Sequence, residues 1–522
     1  MPLNQAILDR TQSFHGLYDP AHEHDACGVG MVASIKGVRS NSILKKALTC
    51  VCNLIHRGAM DADAKTGDGA GVLTQIPYKL FRLEVEKMGY KLFQDSDLGI
   101  GMMFLPNDPY TQARCRHITE LVLGEHKLFI FGWRTVPVNR AVLGEKALRT
   151  CPDIEQILIG RPDPSSMSDD EFERKLFLCR NQIEDQAESQ GIKDFYIPSF
   201  SSRTIVYKGL LAAPTLERFY LDLRDPNYTT ALAVFHQRYS TNTFPTWPLS
   251  QSCRMLSHNG EINTVAGNRL WTKAREPELK SPFFGDAIKK LRPIIQPGGS
   301  DSSSLDNALE LLVMGGRDIL HSMLMLVPAA WQGDASTPPE VKEFYEYHQT
   351  LNEPWDGPAA LVFSDGRTIG ACLDRNGLRP ARYKITEDGL FTLGSEVGLL
   401  PIDDARVIEK GRLGPGEMIA IDTVKGILLK NDEIKASYAK KQPYGTWLRE
   451  NIKDIVSKPS LESQIAPSAT LLQQQLAAGY TEEELGVTPS ILKIMGETGE
   501  EAIGSMGDDA PLAVLSKKPR LL

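Results

Sequence analysis

A cysteine that follows a polar leader is the residue whose surroundings most directly suggest chemistry. Residues 22–30 read HEHDACGVG, so Cys27 stands between a charged segment and a short apolar run that contains two glycines. If the leader is removed before Cys27, the new α-amino group has an ordinary pKa of about 7.7 to 8.0, and its neutral form is a base for the thiol of the same residue. The sequence therefore predicts that residues 1–26 are a pro-segment and that Cys27 supplies both nucleophile and base.

Other interpretations of this segment stay open. Free cysteine is commonly buried and inert, so Cys27 could instead be a small core residue at the start of a strand. His22 and His24 resemble metal ligands, but no matching pair of cysteines or histidines follows them, and a solvated pro-segment fits them better. We therefore predict no metal site.

Hydrolysis of an amide through a thiolate also requires oxyanion donors and, for a free amino acid, partners for its α-carboxylate and α-ammonium groups. Arg238 closes an apolar run, and its planar guanidinium suits a carboxylate. The Asn259 amide and the backbone N–H of Gly260 could both donate to one oxygen, with no Cβ in the way. Asp301 offers a carboxylate for an ammonium group.

Each of these residues also has a purely structural interpretation. Arg238 could be an exposed surface arginine, and an Asn-Gly step such as Asn259-Gly260 is typical of a hairpin turn. Asp301 or Ser302 could simply cap the helix that the following apolar positions predict. Because a cap is fixed in place, the structural and ligand-binding interpretations of Asp301 are compatible.

The segments that must position these side chains alternate between apolar runs and helical patterns. The runs predicted as strands are residues 28–35, 71–76, 204–211, 231–236, 323–327 and 359–363. Asp365-Gly366 between two apolar runs predicts a hairpin with a tight primed turn. Ser168 and Glu171 form a capping box before an apolar helical stripe that includes Cys179, which we predict to be a core residue. A large mixed or antiparallel sheet layered with helices follows from these patterns.

The character of the sequence changes near residue 430. Residues 430–441 are charged, and from Glu450 onward the pattern is helical, with a second capping box at Thr481 and Glu484. We therefore place a domain boundary near residue 430. A chain of 522 residues has room for two to four domains.

Composition and charge argue against several classes of protein. With 42% hydrophobic residues, 24% charged residues and a net charge of −8, the chain has no broad basic face for nucleic acid or an anionic membrane, so small polar ligands are the expected partners. No apolar stretch approaches the roughly 18 residues that span a bilayer, and residues 1–26 lack the apolar core of a signal peptide. Eight cysteines are too few for a disulfide scaffold in this chain, which predicts a reducing, cytoplasmic location.

Two further segments could suggest other chemistry. Residues 67–71, GDGAG, are not followed by the Lys-Ser/Thr of a phosphate-binding loop, so we predict a tight turn near the pocket and no nucleotide site. Cys50 and Cys52 lie among apolar residues and are predicted to be core helix residues before any redox role.

Together with these motifs, several longer runs make the chain resemble the amidotransferase region of the glutamate synthase large subunit, a class II glutamine amidotransferase of the N-terminal nucleophile (Ntn) hydrolase type. The runs are His56-Arg57-Gly58-Ala59, residues 66–71, Pro354-Trp355-Asp356-Gly357-Pro358 and residues 373–383, LDRNGLRPARY. In addition, residues 504–515, GSMGDDAPLAVL, resemble the start of the central region of that enzyme.

The resemblance implies an α+β fold, a four-layer αββα Ntn hydrolase sandwich, over residues 27–430. Residues 1–26 would be a pro-segment that is removed on maturation. Residues 431–522 would be a linker and the beginning of a mainly helical central domain. Related amidotransferases often carry a histidine four residues after the arginine. This chain has Asn242 there, so no role of that histidine is transferred.

The resemblance also implies roles for the candidate site residues. Cys27 takes the place of the nucleophile, and Asn259 and Gly260 take that of the oxyanion hole. Arg238 and Asp301 take the places of the pair that binds glutamine. No cofactor-binding or metal-binding residue is implied.

The implied reaction is hydrolysis of L-glutamine to glutamate and ammonia, with transfer of the ammonia to 2-oxoglutarate. The FMN and iron–sulfur cluster of the family would bind in the C-terminal part of a full-length subunit rather than in this chain, because no cysteine follows Cys372. The implied partners are L-glutamine and either the remainder of glutamate synthase or its small subunit. Two alternatives stay open, namely an amidotransferase subunit that supplies a different synthase and a catalytically silent regulatory partner.

Overall fold

The computed structural model describes residues 27–453 except 64, 164, 166 and 240–242, and in addition residues 470–477. Residues 1–26, which are predicted to be a pro-segment, lie outside the described residues, as do Asn242 and the predicted capping box at Thr481 and Glu484. Within the described part the strands are β1 (Gly28–Ser34), β2 (Ala70–Gln75), β3 (Leu98–Leu105), β4 (Phe129–Thr135), β5 (Asp153–Gly160), β6 (Tyr196–Ser201), β7 (Thr204–Gly209), β8 (Leu232–Gln237), β9 (Leu256–Gly260), β10 (Ala359–Ser364), β11 (Thr368–Leu373), β12 (Arg382–Thr386), β13 (Leu390–Gly394), β14 (Val407–Arg412), β15 (Met418–Asp422) and β16 (Ile427–Leu429).

Helices connect these strands and cover their sheets. Over the same residues the α-helices are α1 (Asn41–Asn53), α2 (Tyr78–Lys87), α3 (Pro109–Glu125), α4 (Glu145–Arg149), α5 (Asp169–Ser189), α6 (Ala213–Phe219), α7 (Val265–Arg275), α8 (Asp301–Met314), α9 (Ile319–Leu326), α10 (Pro339–Gln349), α11 (Asn431–Ala439), α12 (Tyr444–Asn451) and α13 (Leu471–Ala477). Short 3-10 helices span Ile55–Arg57, Asp95–Asp97, Arg140–Val142, Leu221–Arg224, Glu276–Glu278, Gly285–Leu291 and Asp404–Arg406. No helix among the described residues is long and apolar enough to cross a membrane.

Two antiparallel sheets form the centre of the fold. One has seven strands in the order β14-β12-β13-β1-β8-β2-β7, and the other has five in the order β16-β15-β11-β10-β9. Their facing sides share one hydrophobic cluster, which includes Met31 of β1, Val234 of β8, Val362 of β10 and Ile419 of β15. The two sheets therefore pack face to face.

Helices cover both outer faces of this pair of sheets. Leu44 of α1, Phe81 of α2 and Leu216 of α6 pack in one cluster with the outward side chains of the seven-stranded sheet. The helices α8 to α11 pack in a second cluster with the outward side chains of the five-stranded sheet, such as Phe363 and Ala420. The predicted four-layer αββα sandwich is therefore confirmed. Because most of its strands are buried on both faces, they appear in the sequence as continuous apolar runs.

A third sheet, which the sequence pattern did not predict, is inserted between β2 and β7. It has four antiparallel strands in the order β4-β5-β3-β6. One face joins the cluster under α1 and α2, through residues such as Ile100 and Leu158. The other face packs on α3 and α5, through Met103 and Ile157. This insertion adds a separate layer beside the sandwich.

The strand predicted at residues 323–327 is wrong, because these residues lie at the end of helix α9. Asp318 caps the helix by accepting a hydrogen bond from the backbone N–H of Leu320 at 2.9 Å. Seven of the eight residues of α9 are buried, so the run is apolar on every side and its pattern has no helical period. Periodicity alone cannot distinguish a buried helix of this kind from a buried strand.

Other local predictions are confirmed. Helix α5 begins with a capping box in which Ser168 and Glu171 bind each other's backbone N–H, and Cys179 is buried in its apolar stripe. Residues 359–373 form the predicted hairpin, in which Gly366 has a φ of +85°. Cys50 is buried on helix α1, whereas Cys52 lies on the same helix but is only partly buried, so the prediction of a core position holds for Cys50 alone.

The packing of the sandwich continues past residue 430. Ile434 and Tyr438 of α11 and Tyr444 of α12 belong to the same buried cluster as α9 and α10. These helices therefore complete the outer layer of the five-stranded sheet. The division of the chain into a pro-segment, a domain over residues 27–430 and a C-terminal region stays a prediction.

A pair of histidines in this outer layer predicts a loss of stability in acid. The Nε2 atoms of His321 and His348 are 2.8 Å apart, and Nδ1 of His348 donates to the carbonyl of Phe344 at 2.7 Å. In the neutral pair Nε2 of His348 must therefore accept from the Nε2–H of His321, so protonation of His348 sets two N–H groups against each other. Burial lowers the pKa of His321 to about 3 and that of His348 to about 4.

Because an unfolded histidine has a pKa of about 6.5, the stability that this pair contributes is intact above pH 6.5 and is lost as the pH falls towards 4. We expect the urea midpoint to fall between pH 7.5 and pH 5. The decrease should be smaller in His348→Gln, whose side chain does not titrate. An equal decrease in the variant and the wild type would contradict this assignment.

Candidate active site

The predicted nucleophile lies beside the predicted carboxylate-binding arginine. Strands β1 and β8 pair so that Gly28 faces Gln237, and the same register extended by one residue sets Cys27 opposite Arg238. Cys27 is buried, and its Sγ lies 3.8 Å from the carbonyl oxygen of Tyr239. Two central strands of the seven-stranded sheet thus bring these residues to one end of the sandwich.

Arg238 is held in an unusual backbone conformation. Its φ is +104°, which is rare for a residue with a side chain. Its backbone N–H donates to the carbonyl of Gly69 at 2.7 Å, and its Nε lies 3.3 Å from Oδ2 of Asp68. The predicted tight turn is not formed over residues 67–71, because Ala70 and Gly71 already belong to strand β2. Residues 67–69 lead into that strand beside Arg238, and Asp68 supplies a carboxylate to the arginine.

Asn259 and Gly260 end strand β9 rather than forming a hairpin turn. They pair with Ala360 and Ala359 of β10. Gly260 has a φ of +141°, and a Cβ there would lie 1.7 Å from the carbonyl oxygen of Pro358, so only glycine fits. Oδ1 of Asn259 is buried and has no hydrogen-bond partner among the described residues. Unsatisfied buried polar atoms are rare and are often found at functional sites.

Asp301 is the first residue of helix α8 and not its cap. Ser300 is the cap, because its side chain accepts a hydrogen bond from the backbone N–H of Ser303 at 3.1 Å. The expectation that Asp301 or Ser302 caps this helix is therefore wrong. Asp301 instead accepts from the backbone N–H of Ile262 at 3.0 Å and from that of Ser302 at 2.6 Å. A carboxylate has about four acceptor positions, so these bonds fix the group and leave capacity for an ammonium.

Two of the longer motifs contact strand β9, which carries Asn259 and Gly260, and the residues that follow it. The backbone N–H of Asn263 donates to the carbonyl of Asp356 at 2.8 Å, in the run that begins at Pro354. Oδ1 of Asp374 accepts from the backbone N–H of Ala359, the residue opposite Gly260, at 2.9 Å. These contacts give the motifs a structural role in holding Asn259 and Gly260.

Two buried histidines lie between the site residues. The ring of His236 is 2.9 Å from the carbonyl of Arg238 through Nδ1 and 2.9 Å from the carbonyl of His258 through Nε2. Nδ1 of His258 lies 2.9 Å from Oγ of Ser302. Burial lowers the pKa of both histidines, that of His236 to about 4, so both rings are neutral at pH 7.

The charges around Cys27 come from four residues. Burial raises the pKa of its thiol to about 12, Arg238 and Arg379 lower that pKa, and Asp68 and Asp301 raise it. The thiol is therefore un-ionised at pH 7 while Cys27 is joined to residue 26 by a peptide bond. It needs a nearby base before it can act as a nucleophile.

The structure thus brings the five predicted residues to one end of the sandwich. Cys27, Arg238 and Asp301 are close enough for their charges to interact, and Asn259 and Gly260 lie on a strand that His236 joins to β8. The sequence patterns gave no site role to Asp68, His236 or Arg379, although each lies within a motif or a predicted strand. For Asp68, the feature of the sequence that could have indicated a site role is its position between two glycines.

The described residues do not fit an iron–sulfur cluster. All eight cysteines are free and are spread over the domain, and no three histidine, cysteine, aspartate or glutamate side chains in the described part come together as a metal site would require.

Comparisons with known proteins identify the family of the chain. The family described as "Glutamine amidotransferases class-II" matches residues 27–447, and "Glutamate synthase central domain" matches residues 473–522. The chain is 46% identical over 508 residues to the glutamate synthase [NADPH] large chain of Azospirillum brasilense, covering 96% of this chain and 33% of that protein. It is 45% identical over 526 residues to ferredoxin-dependent glutamate synthase 2 of Synechocystis sp., covering 100% of this chain and 33% of that protein.

The chain therefore spans about one third of the length of these relatives. A solved structure, glutamine phosphoribosylpyrophosphate amidotransferase from B. subtilis with ADP and GMP, is 12% identical and aligns over 69% of this chain and 48% of that chain with a TM-score of 0.26. That score is too low to support an argument, so the assignment rests on the sequence matches. By those matches, the chain belongs to the class-II glutamine amidotransferases.

Proposed function

We propose that this chain hydrolyses L-glutamine to glutamate and ammonia, with Cys27 as an N-terminal nucleophile. The observation that carries the proposal is the register of β1 and β8, which sets the buried Cys27 opposite Arg238. The carboxylate of Asp301 also lies close enough for its charge to act on the thiol. A free amino acid has the complementary carboxylate and ammonium groups. The family match begins at Cys27 itself, which supports removal of residues 1–26.

The proposed reaction begins when the α-amino group of mature Cys27 accepts the thiol proton. The thiolate then attacks the side-chain carbonyl carbon of glutamine, and the Asn259 amide and the Gly260 N–H donate to the oxyanion that forms. Collapse of this intermediate breaks the C–N bond, and the leaving group departs as ammonia with the proton from the amine. Water then hydrolyses the γ-glutamyl thioester, which releases glutamate and restores the thiol.

Arg238 and Asp301 would select glutamine by its amino acid end. The fork of Arg238 would bind the α-carboxylate, with Asp68 orienting the guanidinium through Nε. Asp301, fixed by Ile262 and Ser302, would bind the α-ammonium. The side-chain amide of the substrate would then extend towards Cys27.

We further propose that the ammonia is used by glutamate synthase, in the remainder of a longer subunit or in its partner subunit, where it would meet 2-oxoglutarate. The names of the relatives support this acceptor. The FMN and iron–sulfur cluster of such a reaction would be bound outside the described residues, whose cysteines are dispersed. The eight free thiols also support a reducing, cytoplasmic location.

The test is to express the full chain, determine its N-terminus and intact mass, and measure ammonia and glutamate released from glutamine. We expect a chain that begins at Cys27 and releases the two products in equal amounts. A fully active preparation that retains residues 1–26 would refute the role of the α-amine. A processed chain with no glutaminase activity would refute the function and favour a silent regulatory partner.

A further inference from the structure

The ring of His236 connects the two sheets at the active-site end of the sandwich. His236 lies on β8 of the seven-stranded sheet and is fully buried. Its Nε2 is 2.9 Å from the carbonyl oxygen of His258, which lies on β9 of the five-stranded sheet. Its Nδ1 is 2.9 Å from the carbonyl oxygen of Arg238, two residues further along its own chain. The rigid ring thus lies between the backbone at Arg238 and the backbone at His258 and sets the distance between them.

Both segments carry proposed substrate-binding groups. The first segment is Arg238, whose positive φ directs the guanidinium and whose N–H is held by Gly69. The second is His258, the residue directly before Asn259 and Gly260. The distance between these two segments therefore sets the distance between the carboxylate-binding arginine and the oxyanion donors.

The same connection extends to the ammonium-binding carboxylate. Nδ1 of His258 lies 2.9 Å from Oγ of Ser302, and that hydroxyl donates to Oδ1 of Asp301 at 3.1 Å. Gln251 holds the backbone of His258 from the other side, because its Oε1 accepts from the His258 N–H at 2.7 Å and its Nε2 donates to the His258 carbonyl at 3.2 Å. Arg238 and Asp301 are thus joined by a continuous series of contacts through His236, His258 and Ser302.

We propose that His236 is a positioning residue for glutamine recognition, which holds the Arg238 backbone at a fixed distance from the strand that carries His258, Asn259 and Gly260. The inference rests on the proposed function. His236 does not act as the base for Cys27, because both of its ring nitrogens face backbone carbonyls. Its effect on catalysis is therefore exerted through Arg238 and β9.

The test compares His236→Gln and His236→Leu with the wild type, in full chains whose intact mass confirms removal of residues 1–26. The neutral His236 ring can donate to one of the two carbonyls that face it, and a glutamine amide can also donate there, whereas leucine can donate to neither. We expect the KM for glutamine to rise by about 10-fold to 100-fold, since a misplacement of about 1 Å at a site can cost that much, with the smaller effect in His236→Gln.

Two labelling reactions separate positioning from a general loss of structure. Iodoacetamide needs only the Cys27 thiolate, so its rate should stay within about twofold of the wild type. An electrophile built on the glutamine skeleton also needs Arg238 and Asp301, so its rate should fall in parallel with the rise in KM. Arg238→Lys, which loses the planar fork, should show the same pattern.

Two further variants keep the result interpretable. Ser302→Ala interrupts the contacts between His258 and Asp301 from the other end, and it should raise KM even if His236→Leu does not fold. His348→Gln removes a buried histidine from the remote helical layer, so it should lower the melting temperature and leave KM unchanged.

A wild-type KM in His236→Gln and in Ser302→Ala would overturn the positioning role while the glutaminase function stands. So would equal losses of both labelling rates, because these would indicate a damaged thiol environment. A wild-type chain with no glutaminase activity would instead refute the proposed function itself.

Discussion

Replacing Cys27 by alanine is expected to reduce the release of ammonia from glutamine to the background rate. The proposed mechanism takes both the attacking sulfur and the neighbouring base from this one residue, so no other group in the site can substitute for the thiolate. The same change should abolish covalent labelling by an electrophile built on the glutamine skeleton. Ammonia release and the mass of the labelled protein are the two measurements.

Cys179→Ala is the matched control for this experiment. Cys179 is also buried, and burial raises the pKa of its thiol, but it lies in the apolar stripe of α5 against the inserted sheet. Its replacement should cost stability, about 1 kcal/mol, and leave activity and labelling nearly intact. Equal losses of activity in the two variants would mean that the nucleophile has been misassigned.

The sequence was most informative where a local pattern determines the structure. The capping box of α5 and the hairpin at Gly366 follow from contacts between residues a few positions apart, so they could be predicted. The central strands could be predicted because strands buried on both faces are continuous apolar runs. The same rule failed at α9, whose apolar run is buried on every side as a helix.

The inserted four-stranded sheet could not be predicted in this way. Strand β3 pairs with β5 and with β6, so Met102 lies opposite residues 54 and 97 positions away. No local pattern specifies such partners, because the paired strands are distant in the sequence and come together only in the folded chain. The sequence predicted a layered sheet and gave no indication that it divides into three.

Prediction of the candidate site residues was limited in the same way, because contacts between residues distant in the sequence could not be predicted. Arg238, Asn259, Gly260 and Asp301 were identified because their residue types suit amide hydrolysis and because they match the motifs of a family. The structure brings them to one end of the sandwich, and their roles stay predictions. His236 was overlooked because its importance depends on the carbonyl of a residue 22 positions away, which only the folded chain places beside it.

Asn259→Ala is expected to lower kcat by about 10²-fold to 10³-fold, as the loss of one oxyanion donor does elsewhere. The KM for glutamine should change little, because the amide is proposed to bind an oxygen whose charge develops only in the transition state. Asn259 is also a suitable position to test, because its Oδ1 has no partner among the described residues and its removal breaks no hydrogen bond of that oxygen. Steady-state kinetics with glutamine and a urea titration of each variant are the measurements.

Asn268→Ala provides the matched control, because Asn268 is a buried asparagine on α7 whose Nδ2 donates to the carbonyl of Pro354 at 3.0 Å. Its loss leaves that carbonyl without this donor, so the free energy of unfolding should fall by about 1 to 3 kcal/mol while kcat stays near the wild-type value. An oxyanion role predicts the opposite division for Asn259, with a large effect on kcat and a small one on stability. If Asn259→Ala lowers stability as much as Asn268→Ala does and kcat changes less than about tenfold, Asn259 serves only to end strand β9, and the oxyanion must be stabilised by other donors, such as the Gly260 N–H.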